Sequence, residues 1–299
     1  MVGMAFINGD FCAPEDAKIS IFDLGFTRSD VVYDVVSTWK GQFFRLDDHL
    51  ARFFNSVEAV GIDCPYDRDE VKALLAKCVL HGGLEDAYVS MAVTRGKFRD
   101  PANRDPRDHI ATFIAYAIPY VWIVAPEQQK KGIAITIPDV RRIPDSALDQ
   151  RHKNYHWGDL TNGARQAREV GADNAVLLTP DGFLAEGPGF NLFIVKDGRL
   201  LSPKRNVLHG ITRKSVIELA DEIGVPVQLD DFHRDNLLEA DEAFLTSTAG
   251  GIMPVVKVDD RILSNGAPGA TTSRIRALYW QKREAGWHGA MASSLAGAS

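Results

Sequence analysis

Between residues 31 and 46 the chain reads VVYDVVSTWKGQFFRL. Branched and aromatic residues alternate around Lys40-Gly41, the pattern of a β-hairpin. AFINGDF, near the start, predicts a strand, a turn at Asn8-Gly9-Asp10 and a second strand. From Leu46 the period changes. His49, Leu50, Phe53, Phe54, Val57 and Val60 recur at steps of three and four, which predicts a helix capped by Asp47 and Asp48 and stopped at Gly61. A second helix is expected over 69–82, and AYVSMAVTRG and HIATFIAYAI return to strand.

Pro119 and Pro126 bracket the short apolar stretch YVWIVA, so a connection between two lobes is placed at 121–130. It separates a small lobe, 1–120, from a larger one, 131–299. In the larger lobe GIAITIPDVRRI, AVLLTPDG, NLFIVKDGRLLSP, PVQLDDF and EAFLTSTAGGIMPVVKVDD predict strands. Helices are expected around 160–170, over TRKSVIELADEIG and near 272–283. Pro180-Asp181-Gly182 and Lys196-Asp197-Gly198 are turn signals that imply antiparallel hairpins, so the class is α+β and not a doubly wound parallel sheet. The closing GAMASSLAGAS is small and polar and is expected to be poorly ordered.

At 299 residues the chain is long enough for two cores. A net charge of -6 offers no basic footprint for nucleic acid or an anionic membrane, which leaves a small molecule as the expected partner. Three scattered cysteines, Cys12, Cys64 and Cys78, show no C-x-x-C spacing and fit a reducing cytoplasm. The start lacks the pattern of a signal peptide, and no apolar run approaches the ~20 residues that span a bilayer. A cytoplasmic enzyme without a metal is expected.

Four stretches carry candidate chemistry. In RHKNYHWGDL, Lys153 stands among His152, Tyr155 and Trp157; crowding by aromatic groups removes hydration and favours the neutral, nucleophilic amine. In LAEGPGFN, Glu186 sits in a glycine-bracketed turn that a flat ligand can approach closely. A carboxylate there would keep a pyridine nitrogen protonated. LHGITRK places Gly210, Ile211 and Thr212 at the start of a helix, a setting for a phosphate. TSTAGG, with Thr248 and Ala249, offers a second anion nest. Each stretch also has a plain reading, as surface lysine, solvated turn, helix cap and tight loop. Taken together they describe a site for pyridoxal 5'-phosphate.

With these residues in view the chain resembles the fold type IV pyridoxal-phosphate enzymes, a two-lobed class that includes D-amino acid transaminases, (R)-selective amine transaminases, branched-chain aminotransferases and aminodeoxychorismate lyase. FINGDF, ISIFDLGF, FRLDDHLARFF, KNYHWGDL, AEGPGFNLF, LHGITRKSV and TSTAGGIMP carry the resemblance over nearly the whole chain. It implies that Lys153 forms the internal aldimine and moves the proton between Cα and C4′. It further implies that Glu186 pairs with the pyridine nitrogen, that Leu208 packs on the ring, and that Arg52, Gly210, Ile211, Thr212 and Thr248 hold the phosphate. The class is homodimeric.

KNYHWGDL and TAGGIMP are most similar to the (R)-selective amine transaminases, and VVYDVV to the D-amino acid transaminases. The expected substrate-binding residues are Arg28, Tyr33, Arg95, Arg99, Trp157 and Ala249. An arginine among them would clamp a substrate carboxylate in a bidentate pair, with Arg28 at the centre of the question. The expected reaction moves an amino group from an (R)-amine or D-amino acid to a 2-keto acid. A branched-chain L-amino acid aminotransferase, a lyase of the aminodeoxychorismate type and a non-catalytic binding protein are the alternatives.

Overall fold

The apolar runs of the first third fold into one antiparallel sheet. In the computed structural model, which describes residues 1–297, strands β1 (Met4–Ile7) and β2 (Asp10–Cys12) pair across Asn8 and Gly9. A short helix α1 (Leu24–Arg28) leads into β3 (Val31–Trp39), which turns back as β4 (Gln42–Phe44). Lys40 (φ 51°) and Gly41 (φ 74°) supply the left-handed pair that a tight hairpin needs. Helices α2 (Leu46–Val60) and α3 (Arg68–His81) and strands β5 (Ala87–Phe98) and β6 (His109–Pro119) complete this region. The strand order is β4-β3-β5-β6-β1-β2. Leu50, Phe53 and Val57 of α2 and Val71, Leu75 and Val79 of α3 pack with Val32, Val36, Val89, Met91 and Phe113 of the sheet. A side chain such as Phe53, wholly removed from water, contributes about 1.5–3 kcal/mol.

The helix starts differ from expectation in an instructive way. Arg45, left-handed at φ 54°, occupies the N-cap of α2 without a side-chain cap, and Asp47 and Asp48 lie inside the first turn. There they meet the positive end of the helix dipole. Helix α3 is capped by Asp67, two residues before the expected start, in a reciprocal capping box with Glu70.

From Trp122 a second unit begins. Helix α4 (Pro126–Lys131) occupies much of the expected connection, started by a proline at its first turn. Strand β7 (Ile133–Thr136), helix α5 (Gly158–Glu169) and the two-residue strands β8 (Asn174–Ala175) and β9 (Glu186–Gly187) follow. Then come β10 (Phe190–Lys196), β11 (Arg199–Pro203), α6 (Ile211–Glu222), β12 (Val227–Asp230) and α7 (Arg234–Leu238). Strands β13 (Glu242–Ser247), β14 (Gly251–Val258) and β15 (Arg261–Ile262) and helix α8 (Ala270–Glu284) close it. Its sheet runs β12-β11-β10-β13-β14-β7-β8, with β9 beside β10 and β15 beside β14. The β11–β12, β14–β7 and β7–β8 pairs are parallel and the others antiparallel, so the sheet is mixed. Two predicted strands shrink. GIAITIPDVRRI is strand only to Thr136, where Pro138 removes a ladder donor, and AVLLTPDG contributes Ala175 and isolated bridges at Leu178.

The chain crosses between the units more often than a simple cut at 121–130 implies. One unit comprises residues 1–121, 152–156 and those from 283 onward; the other comprises 122–151 and 157–282. Residues 152–156, which the sequence reading assigned to the large lobe, belong with β3 because Asn154 bridges Val32. The tail, expected to be poorly ordered, instead forms strand β16 (Gly289–Met291), paired with β4, and helix α9 (Ala292–Leu295). Ala292 is 2% exposed and joins the core with Leu295 packed beside it, which gives these small residues an anchor. Ala298 and Ser299 lie outside the described residues. Among those described, no helix is long and apolar enough to cross a membrane.

The register shift of β5 against β6 falls between Thr94 and Lys97, at Gly96. Gly96 has φ 66°, and a Cβ there would stand 1.8 Å from the Ile110 carbonyl oxygen. Gly96→Ala is therefore expected to destabilise the protein by about 3 kcal/mol. Thermal unfolding checks this, and an unchanged midpoint would refute it.

Candidate active site

Alternation along β3 sends Tyr33 and Asp34 to opposite faces. Asp34, with no exposure at all, points at α2, where His49 and Arg52 stand three residues apart on one helix face. Arg52 grips the carboxylate with two donors, Nε to Oδ2 at 2.7 Å and Nη2 to Oδ1 at 2.8 Å. His49 Nδ1 lies 2.8 Å from Oδ1. Burial alone would raise the Asp34 carboxyl, but the Arg52 charge and the hydrogen bonds of Arg52 and His49 hold it well below the usual carboxylate range. Burial pushes the His49 imidazole down against the opposing pull of Asp34, with the charges of Arg52 and Lys153 adding to the lowering.

Lys153 is pinned through its backbone at the start of β3. Tyr33 N–H donates to the Lys153 carbonyl at 3.0 Å, and Lys153 N–H donates to Ser56 Oγ at 3.3 Å. Ser56 is one turn beyond Arg52 and donates in turn to the Arg52 carbonyl at 2.9 Å. The Lys153 Nζ stands 4.4 Å above the centre of the Tyr33 ring, a cation–π distance. The Tyr33 and Tyr155 rings are 4.3 Å apart. This unit thus brings together Lys153, Arg52 and Tyr33, and adds Asp34, His49 and Ser56, which the sequence reading missed. An aspartate inside an apolar strand is the signal that could have found Asp34, because a buried charge requires a partner.

The three candidate carboxylate-binding arginines fare differently. Arg28 is exposed at the end of α1, its guanidinium 5.7 Å from the Phe98 ring centre. Arg95 is 7% exposed and is consumed internally: Nε binds Asp30, Nη1 the Gly61 and Pro106 carbonyls, and Nη2 the Val60 carbonyl. It braces the end of α2 against the β5–β6 bend. Arg99, exposed, is paired with Asp108 at 3.1 Å and with the His109 carbonyl at 3.2 Å.

In the other unit β9 and β10 set Glu186 opposite Asn191. Glu186 is 6% exposed and accepts from Arg142 Nη2 at 3.0 Å, Asn191 Nδ2 at 3.1 Å and the Leu208 N–H at 2.9 Å. Asn191 also donates to the Leu208 carbonyl at 2.8 Å, so Leu208 is tied to Glu186 by its main chain. Gly210 caps α6 with no side-chain hydrogen bond, and the first-turn N–H groups, Ile211 and Thr212 included, have no intrahelical acceptor. Both residues are buried, at 8% and 3% exposure. A Cβ on Gly210 would lie 2.1 Å from Asn191 Oδ1, so a larger residue here would have to displace the Asn191 side chain. A buried, uncapped helix start is a ready anion site.

Thr248 and Ala249 form the turn between β13 and β14, where the Ala249 carbonyl accepts from the Ile123 N–H at 2.8 Å. Trp157 is half-buried at the start of α5. A buried carboxylate for a ring nitrogen and an open helix start for a phosphate fit pyridoxal phosphate by the chemistry of their donors. Among the described residues no three histidine, cysteine, aspartate or glutamate side chains cluster to hold a metal ion.

Comparison with known proteins places residues 31–258 under the family model described as Amino-transferase class IV. The chain is 34% identical to a putative branched-chain-amino-acid aminotransferase of Methanocaldococcus jannaschii, over 92% of this chain and 94% of that protein. It is 31% identical to the D-alanine aminotransferase of Bacillus licheniformis, over 90% and 93%. Among solved structures it is similar to the branched-chain aminotransferase of the archaeon Thermoproteus uzoniensis with norvaline, at a TM-score of 0.85 and 28% identity over 93% of this chain and 94% of that one.

The Asp34 cluster generates a pH prediction. A carboxyl held below its unfolded value of about 3.9 stabilises fully above that pH and loses its contribution as the pH falls further. His49, lowered in the fold, starts to cost stability as the pH falls through its free value near 6.5. Asp34→Asn is expected to lose about 3 kcal/mol near neutrality and to show a shallower acid limb below about pH 4. Urea unfolding from pH 3 to 7 checks both, and identical acid limbs would clear Asp34 of this role.

Proposed function

This chain belongs to the class IV aminotransferases, and we propose that it transfers an amino group from a D-amino acid or an (R)-amine to a 2-keto acid. Pyridoxal phosphate is the family's cofactor. When bound it supplies the electron sink that labilises bonds at the substrate Cα. The observation that carries the reading is the fixed lysine: Lys153 is hydrogen-bonded at both backbone ends to Tyr33 and Ser56, with Nζ 4.4 Å above the Tyr33 ring.

In this reading Lys153 would hold the cofactor through its ε-amine, and that amine, once released, would carry the proton from the substrate Cα to the cofactor's C4′. Glu186, which accepts from Arg142, Asn191 and the Leu208 N–H, would pair with the ring nitrogen, and Leu208 would pack on the ring. Arg52, fixed in one orientation by Asp34, would bind the phosphate, as would the Ile211 and Thr212 N–H groups, past Gly210, and Thr248. Reaction is ping-pong: the amino donor enters and leaves as a carbonyl product before the 2-keto acid enters.

For the substrate, Tyr33, Trp157 and Ala249 are the proposed contacts. With Arg95 committed to internal carbonyls and Arg99 to Asp108, Arg28 takes the carboxylate. The functional unit is a homodimer. Ile21, Phe22 and Phe26 stand 69%, 73% and 66% exposed within six residues of one another, an apolar surface of the kind that meets a partner. A second reading, transfer from branched-chain L-amino acids, is favoured by the similarity to the M. jannaschii protein, which is named as a putative branched-chain enzyme.

D- and L-amino acids and both enantiomers of 1-phenylethylamine, assayed against pyruvate and 2-oxoglutarate, test the choice. Turnover confined to L-leucine, L-isoleucine and L-valine would replace the first reading by the second, and pyruvate release without an acceptor would point to a lyase. Lys153→Ala should lower kcat by about 10³-fold or more; parent-level turnover would remove the lysine from the mechanism. Arg28→Ala should weaken carboxylate substrates by about 2 kcal/mol, roughly thirtyfold in KM, and leave simple amines unchanged. An equal change for both classes would exclude Arg28 as the clamp.

A further inference from the structure

Behind Glu186 lies a second buried carboxylate that the scheme above does not use. Arg142, 3% exposed, donates through Nη1 to Asp159 Oδ2 and through Nη2 to Gln150 Oε1 and to Glu186 Oε1, the last at 3.0 Å. Asp159 is 8% exposed in the first turn of α5. Its Oδ2 accepts from the Ile143 N–H and its Oδ1 from the Leu160 N–H, both at 2.8 Å. The carboxylate is therefore fixed between the β7–α5 connection and the helix.

The charge count is informative. A buried guanidinium with a single carboxylate partner makes a neutral pair, and little of that carboxylate's field is left for a third group. Here one guanidinium faces two carboxylates and a neutral glutamine, so Arg142, Asp159 and Glu186 between them carry one net negative charge. That charge matches one added proton on a heterocyclic nitrogen at Glu186.

We propose that Asp159 is a positioning residue for the ring nitrogen of the cofactor: it neutralises Arg142, so that Arg142 orients Glu186 without cancelling the charge Glu186 presents. The inference rests on the reading that Glu186 faces that nitrogen. Other groups near Glu186 form a constant background. Arg213 on α6, 6% exposed, is bonded to Ser202 Oγ at 2.9 Å and the Pro203 carbonyl at 2.8 Å, and feels the Glu186 charge through space. Asn191 and the Leu208 N–H are neutral donors on Oε2, and His209, beside Leu208, is exposed.

The test reads the nitrogen directly. Parent and variants are reconstituted with ¹⁵N-labelled pyridoxal phosphate, the ring-nitrogen shift is followed against pH by NMR, and thermal unfolding of each apoprotein reports on the fold. Asp159→Asn should lose the ring proton at lower pH than the parent, with the protonated-to-neutral ratio down about tenfold. Asp159→Glu should restore it. Arg142→Met should move the titration the other way, and Arg142→Met combined with Asp159→Asn should return it to the parent position, because the net charge is again -1 by this count. The Arg142 variants decide the matter even if Asp159→Asn alone does not fold. An unchanged titration in Asp159→Asn, or a double variant no better protonated than Asp159→Asn, would overturn the proposal. If Glu186→Gln leaves the ring nitrogen's titration where it was, the reading of Glu186 fails and this inference falls with it.

Discussion

A carboxylate with no access to water, Asp34, sits in the middle of β3 and must be satisfied within the protein. Arg52 and His49 satisfy it, and both come from one face of α2. The consequence reaches beyond the ion pair. Strand and helix are locked in register, the Arg52 guanidinium has one orientation, and Ser56 one turn later receives the Lys153 backbone. Lys153 thus has a defined place because a buried charge one position from Tyr33 fixes the two elements that hold the lysine.

The second unit solves a related problem with different groups. Glu186 is kept as a buried acceptor by an arginine, an asparagine and a main-chain N–H. Arg142 has its own counter-charge in Asp159. The start of α6 does the converse, presenting positive N–H groups that no side chain caps. A carboxylate for a cationic ring atom and a helix end for an anionic group are complementary halves of recognition for a zwitterionic cofactor.

Local order was largely legible from the chain. The Lys40-Gly41 hairpin, α2 to its Gly61 stop, the β10–β11 turn at Asp197-Gly198 and α6 after Gly210 all stand where pattern and turn chemistry put them. These features depend on period and on left-handed backbone, and both are written in neighbouring residues. The tail misled for the same reason: nothing local in GAMASSLAGAS signals that Gly289–Met291 pairs with β4 or that Ala292 joins a core.

By itself the sequence determined the α+β class, the family and the candidate lysine, glutamate and helix start, because residue type and spacing suffice for these. Only the tertiary structure decided which charged groups are available. Arg95 looked as able to bind a substrate as Arg28, yet its guanidinium is consumed by Asp30 and three main-chain carbonyls from distant positions. Asp34, Arg142 and Asp159 gain their meaning from charged or titratable partners 15 to 44 residues away. Hydrogen bonds and charges act through space over a few ångströms, and which groups come within that range is set by how strands and helices pack.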